Sequence, residues 1–520
     1  MHRSTLALVL LFALCCVGGS IAYDVVVPTI YGDIGGLATD VGYEFTSVPF
    51  AKPPIGNLRM QPPQEPDSWQ RAGTWTEDCL YMSIYVPKNF NDGTKRDVFI
   101  FSHGGAFVGG SMSTFIGRDM ANLTNTIVIS INYRLGILGL LGHQAFLWES
   151  GTYGNYLLMD QRRAFQWVRD NIRNFGGNPR SVTISGFSSG SISVALHAVS
   201  PLSWGLYHKA VGLSGVGYSG TQLNDRSWIT DVMWTVLEKV NCTTLLCNRN
   251  SLIVGPLCAA HLRQCFRAVP IETLIQVQNT IDELVKPRPA VDGFVVPAQP
   301  LDMIKSGFYY HVPTLHAVGN NESTVLLSRN YPLDSDESHF NSYVTSMFGA
   351  ALIPHVKELY PVGPGAGQYP TWFAAMSKID TDWYYTCPTQ RWLKAMAATG
   401  SQDQLYMYFS DYVGPWYNPA LGTFHGMDTI YAPGQGCIAA YTPRTCAPAL
   451  LETPERPLVE LLQGIWTSMA KEGNPGMAGW PTYSAANNYP YLHISGVNNA
   501  FIDSAPQQAQ QCQLWNSISV

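Results

Sequence analysis

Short apolar runs alternate with amphipathic stretches through the first two hundred residues, and this alternation most restricts the fold. "DVFIFSH" (97–103) and "TIVISINY" (126–133) are almost continuously apolar. A strand with one wet face would alternate apolar and polar side chains. Runs like these belong to strands covered on both faces, as in parallel sheets. "DQRRAFQWVRDNIRNFGGNP" (160–179) follows with a helical period. Ala164, Phe165, Trp167, Val168, Ile172 and Phe175 form its apolar stripe, and Arg162, Arg163, Arg169, Asp170 and Arg173 its polar surface. Gly176, Gly177 and Pro179 end it. "SVTISG" (181–186) then reads as a strand and "SGSISVALHAV" (189–199) as a helix. Strand, helix, strand, helix predicts an α/β fold with a central, mostly parallel sheet flanked by helices. No composition break marks a second domain, so residues 23–520 are expected to form one.

Where the last of these strands meets its helix, the chain reads "GFSSG" (186–190), a G-x-S-x-G pattern centred on Ser188. By itself the pattern is weak. Between a strand and a helix it is the nucleophile elbow, a sharp turn that presents one hydroxyl. Gly186 and Gly190 leave room where strand and helix approach. The helix N-terminus favours negative charge at the same point. Upstream, "SHGGAF" (102–107) also follows a strand. Small residues there leave backbone N–H groups bare. Gly105 and Ala106, with the N–H of Ser189, are the candidate oxyanion donors, and Gly104 is read as a source of flexibility.

The ends and the composition narrow the setting. "MHRSTLALVLLFALCCVGGSIAYD" has a basic start, an apolar core from Leu6 to Val17, and small residues at Ser20 and Ala22. It is read as a secretory signal peptide over residues 1–22, too short to be a membrane anchor. No later run suggests a transmembrane segment, and "NSISV" carries no retention signal, so the mature chain is expected to be secreted or lumenal. Charged residues make up 13%, against about 25% in ordinary soluble proteins, and the net charge is −6. No basic cluster invites nucleic acid. Of eleven cysteines, nine lie beyond residue 22. Cys242, Cys247, Cys258 and Cys265 fall in one short segment, Cys437 and Cys446 form a local pair, and Cys387 and Cys512 a long-range candidate, leaving Cys79 as a free thiol. Disulfides suit an oxidising compartment, and zinc-ligand spacings are absent. Sequons at Asn122 and Asn241 are candidate glycan sites, and a third sits at Asn321.

With these pieces in hand the chain resembles the type-B carboxylesterase/cholinesterase family of α/β-hydrolases. "VPFAKPPIGNLRMQPPQ", "EDCLYMSIYVP", "INYRLGILG", "GNYLLMDQRRAFQWVRDNIRNFGGNP", "VTISGFSSGS", "GLSG", "VDGFVVP" and "IWTSMAKEGNP" occur in the family's order. The resemblance implies an α/β-hydrolase fold and a serine esterase without cofactor or metal, acting on small-molecule or lipid esters. It also implies two partners for Ser188. The acid is Glu322 in "HAVGNNES", and the histidine is His425 in "FHGMD". The residues alone leave His339, His355 and His493 open, and Asp292 in "VDG" as a rival acid read as loop-forming. A glycan on Asn321, beside a buried acid, would have little room. The family also implies Cys242–Cys265, with Cys247–Cys258 nested inside it, and Cys387–Cys512.

Three departures bear on substrate. Phe187 stands where the family commonly has an acidic or amide residue, and Ser189 where it has Ala. The Cys-closed loop before "EDCLY" is reduced to "EPDSWQRAGTWT", in which Trp69 and Trp75 do not match the choline-binding tryptophan in spacing. A quaternary ammonium wants an aromatic face and often a nearby anion. The expected substrates are therefore uncharged carboxylic esters, and turnover should fall in acid as an imidazole base is protonated. The competing reading is a catalytically silent adhesion, binding or structural protein on the same fold. The sequence leaves the oligomeric state open.

Overall fold

The apolar runs near residues 100 and 130 lie inside a twelve-stranded sheet. The computed structural model describes residues 23–68, 77–216, 223–251, 254–281, 288–400, 403–434, 450–504 and 508–518. The strands are β1 (Val25–Thr29), β2 (Gly32–Ala38), β3 (Gly42–Pro49), β4 (Tyr81–Pro87), β5 (Arg96–Ser102), β6 (Ile127–Ile131), β7 (Gly177–Phe187), β8 (Lys209–Leu213), β9 (Thr314–Gly319), β10 (Leu405–Ser410), β11 (Tyr491–Gly496) and β12 (Asn499–Asp503). Their spatial order is β1-β2-β3-β4-β6-β5-β7-β8-β9-β10-β11-β12. Every neighbouring pair from β6 across to β11 is parallel, and the flanking pairs are antiparallel.

Both faces of the centre are covered, which explains the unbroken apolar runs. Val98 and Ile100 of β5 face one core with Leu157, Trp167, Val194 and Leu393. Phe99 and Phe101 face the other, where Phe99 stacks on Trp466 at 5.9 Å and Phe101 on Phe115 at 4.1 Å. Burial of such side chains on two faces supplies the main driving force for the fold.

The long helix differs from the sequence expectation in two ways. It runs from Tyr156 to Asn171 and ends in a 3₁₀ turn through Phe175, closed by Gly176 at φ 77°. It starts four residues early because Asn155, in the left-handed conformation, is pinned to Ala290 by two hydrogen bonds of 2.8 and 3.2 Å. Arg163 is buried rather than on the polar surface, and donates to Phe50 O at 3.2 Å and Tyr31 Oη at 2.5 Å.

The register sets up the site. Ser102 pairs with Gly186, Phe187 with Leu213, and Leu213 with Ala317. The segments leaving the C-terminal ends of β5, β7, β8 and β9 therefore emerge side by side, where ligand crevices of open α/β sheets form. The structure has disulfides Cys242–Cys265, Cys247–Cys258 and Cys387–Cys512, with Cα separations of 5.6, 5.4 and 5.2 Å. Cys79 is a free thiol pushed up to about 12 by burial and by Asp160, which makes it a poor nucleophile. The Cys437–Cys446 pair, the leader, Trp69 and Trp75 lie outside the described residues. Among the described residues no helix is long and apolar enough to cross a membrane.

Candidate active site

Ser188 occupies the single position between β7 and the helix Ser189–Ala198, at φ 57° and ψ −122°. That conformation costs a residue with a Cβ about 1–3 kcal/mol and persists only where its surroundings enforce it. Here Ser188 N–H donates to Leu213 O at 2.9 Å, and Ser188 O accepts from Ile192 N at 3.0 Å. Close approach explains the flanking glycines. A Cβ on Gly186 would lie 2.3 Å from the Gly190 backbone, and one on Gly190 2.1 Å from Ser102 O.

The segment leaving β5 lies against this turn. A Cβ on Gly104 would sit 2.9 Å from both Ser188 Cβ and Phe187 O. Gly104 thus serves close approach rather than flexibility. Gly105, Ala106 and Phe107 all have positive φ, at 122°, 54° and 62°. The bend is held by Val108 and Gly109 N–H, both donating to Gly105 O at 3.0 Å, and by Gly136 N–H donating to Phe107 O at 2.7 Å. Behind it His103 donates from Nδ1 to Gly104 O at 2.8 Å and stacks on Tyr133 at 4.4 Å. Burial pushes His103 down to about 4, so the ring is neutral. Among the described residues, the N–H groups of Gly105, Ala106 and Ser189 donate to no backbone carbonyl. Ser189 is the first residue of its helix, where N–H groups have no intrahelical acceptor. Bare amides beside a serine are suited to holding a developing oxyanion.

Glu322 and His425 meet beyond the ends of β8 and β9, each 1% exposed. His425 Nδ1 lies 2.6 Å from Glu322 Oε2, and His425 N–H donates to Glu322 O at 3.2 Å. The other carboxylate oxygen, Oε1, accepts from Ser214 Oγ and from Gly319 N–H, both at 2.6 Å. The acid is fixed at both oxygens, so the imidazole has one orientation. Phe187, beside Ser188, packs its ring 4.5 Å from that of His425, and Tyr385 packs at 5.0 Å. Phe187 is 2% exposed and belongs to the core beneath the imidazole. Asp428 is also buried here. Burial and the Glu322 charge push it up to about 7.

The rival residues are engaged elsewhere. Asp292 Oδ1 accepts from Phe294 and Val296 N–H at 3.1 and 2.8 Å, closing a turn. His339 caps a helix with Asp336, His355 lies by Glu358, and His493 pairs with Asp411 at 2.9 Å. Asn122 and Asn241 are exposed, whereas Asn321 packs its amide on residues 422–423. Among the described residues no group of three or more His, Cys, Asp or Glu is placed to hold a metal ion. Sequence reasoning missed Ser214, Gly319, Tyr385 and Asp428. "GLSG" was a visible signal for Ser214, because a serine leaving the strand next to the elbow must face the same crevice.

Comparison with known proteins bears on the family of the chain. The family model described as "Carboxylesterase family" matches residues 23–76 and 71–515. The "Crystal protein" of Dictyostelium discoideum is 30% identical over 94% of this chain and 90% of its own length. "Cocaine esterase" of Homo sapiens is 28% identical over 91% and 86%. "Carboxylesterase 1F" of Mus musculus is 28% identical over 98% and 96%.

Proposed function

This chain belongs to the carboxylesterase family of α/β-hydrolases and is a carboxylic ester hydrolase, and from that premise we propose that it cleaves uncharged esters through an acyl-enzyme on Ser188. The buried Glu322–His425 pair, locked at both carboxylate oxygens next to a strained serine turn, is the observation that carries the reading. His425 Nε2 takes the Ser188 proton as Oγ attacks the carbonyl carbon. The imidazolium keeps its Nδ1–H on Glu322, which stabilises the positive charge. The N–H groups of Gly105, Ala106 and Ser189 hold the oxyanion, and removal of one such donor typically costs about 100–1000-fold in rate. His425 returns the proton to the leaving alcohol, and water repeats the sequence on the acyl-enzyme. This proposal uses no metal or cofactor.

Phe187 supports the uncharged-substrate reading. Its ring is buried against His425, so it acts on substrate only by leaving the position next to the nucleophile without a carboxylate charge. A series of p-nitrophenyl esters from acetate to palmitate, run beside acetylthiocholine, tests this. The neutral esters should be preferred, and a strong preference for the choline ester would refute it. We further infer that residues 1–22 are a cleaved export signal ahead of one catalytic domain, with glycans on Asn122 and Asn241.

A further inference from the structure

Gly105, Ala106 and Phe107 are consecutive residues with left-handed backbone, and the last two carry a Cβ. Such a run persists only where neighbouring groups enforce it. The N–H groups of Gly105 and Ala106 lie inside the run, so whatever enforces it also aims them. The enforcing bonds come from one short segment, residues 133–136, just past β6. Tyr133 Oη donates to His103 O, before the run. Gly136 N–H donates to Phe107 O, at its end, at 2.7 Å. The two bonds bracket Gly104, Gly105 and Ala106.

Tyr133 is itself anchored on both sides. Asn132 N–H donates to Tyr81 O at 2.9 Å, and Asn132 Oδ1 accepts from Met112 N–H at 2.7 Å. Arg134 N–H and Nε donate to Asp160 Oδ2 at 3.1 and 2.8 Å, and its Nη2 donates to Oδ1 at 2.6 Å, in a buried ion pair with the helix Tyr156–Asn171. The Tyr133 ring is buried and stacks on His103 with 10° between the planes. Its hydroxyl lies 3.5 Å from His103 Nδ1, which donates to Gly104 O. The buried hydroxyl of Ser189, whose N–H is the third oxyanion donor, lies by the same phenol. Burial raises the phenol above its ordinary value, so it keeps its proton and stays a donor wherever an imidazole can act as base.

We infer that Tyr133 is a positioning residue of the oxyanion hole: its hydroxyl, together with the N–H of Gly136, clamps residues 103–107 so that the Gly105 and Ala106 N–H groups stay aimed beside Ser188. It acts only through the backbone it holds, and the inference rests on the esterase reading of Ser188. The test is Tyr133→Phe in the full-length mature protein, with an n-alkyl trifluoromethyl ketone beside p-nitrophenyl acetate. Ser188 Oγ adds to the ketone carbon, its proton passes to His425 Nε2, and the carbonyl oxygen becomes the oxyanion that the hole binds. The variant keeps the ring and its stack on His103. Its kcat should fall about 10–100-fold with KM little changed, and its affinity for the ketone should weaken by a similar factor. The pH at which turnover is half lost should keep its wild-type value, because His425 and Glu322 are untouched. Undiminished kcat, or a loss of kcat with wild-type ketone affinity, overturns the clamp. So does a displaced pH profile, which would place the effect on the imidazole, or loss of the folded circular dichroism spectrum, which would make the hydroxyl a requirement of folding. Wild-type protein inert toward both ester and ketone would instead sink the esterase reading itself.

Discussion

Ser214 illustrates how much of the candidate site rests on residues behind the Glu322–His425 pair. Its hydroxyl donates to the Glu322 oxygen that does not face His425. Removing it leaves one lone pair of a buried carboxylate without its donor, a loss of about 1.5–3 kcal/mol for a bond to a charged group. We expect Ser214→Ala to lower kcat about 10–100-fold with little change in KM, because the acid and imidazole lose their fixed geometry while ester contacts remain. Steady-state kinetics on a p-nitrophenyl ester checks this, and an unchanged kcat would show that Gly319 N–H alone fixes the acid. At this scale legibility was uneven. Ser188 and the oxyanion candidates were readable because their chemistry is local, in a few consecutive residues after a strand. Glu322 and His425 came from family resemblance alone. They lie 103 positions apart, and Ser214 is 108 positions from Glu322. Spacing in the sequence cannot announce such contacts.

The elements were more legible than their edges. Strands β5, β6 and β7 declared themselves through apolar runs, because two packed faces demand apolar side chains at every position. The start of the helix at Tyr156 did not, because it is set by Asn155 reaching 135 positions to Ala290. The buried Arg163 was read as surface for the same reason. The loop after β5 carries its own prediction. Gly104 lacks a side chain where the nucleophile turn presses on it, and an alanine there would overlap Ser188 Cβ and Phe187 O. Gly104→Ala should push the amides of residues 105 and 106 off the oxyanion position and cost about 100-fold or more in kcat. Circular dichroism should confirm a folded protein, since the change sits at a strand end rather than within the sheet. Wild-type turnover in this variant would remove the segment from the mechanism.

The molecule as a whole buries imidazoles that answer to pH. His103 and His143 are pushed down to about 4, and His197 and His316 to about 3, in each case chiefly by burial. In the unfolded chain such groups protonate near 6.5. Their folded values lie below that, so the stability they contribute is complete above about pH 6.5 and is lost as pH falls toward 4 and 3. Asp380 and Asp428, raised to about 6 and about 7, act in the opposite sense, since ionising them costs more in the folded protein. Burial also raises Asp119, Asp160, Asp292 and Asp382 and lowers His208. Asp160 and Asp382, however, are ion-paired with Arg134 and Lys378, so the imidazoles set the sign and the thermal midpoint should drop between pH 7.5 and pH 5. Thermal unfolding followed by circular dichroism measures it, and a midpoint that rises into acid would contradict the burial argument. The central claim concerns Ser188 itself, and covalent trapping tests it most directly. Folded protein treated with an organophosphate diester, then digested and mapped by mass spectrometry, should carry one adduct, on the peptide containing Ser188, and Ser188→Ala should carry none. An unlabelled folded protein, or an adduct on another residue, would contradict the account.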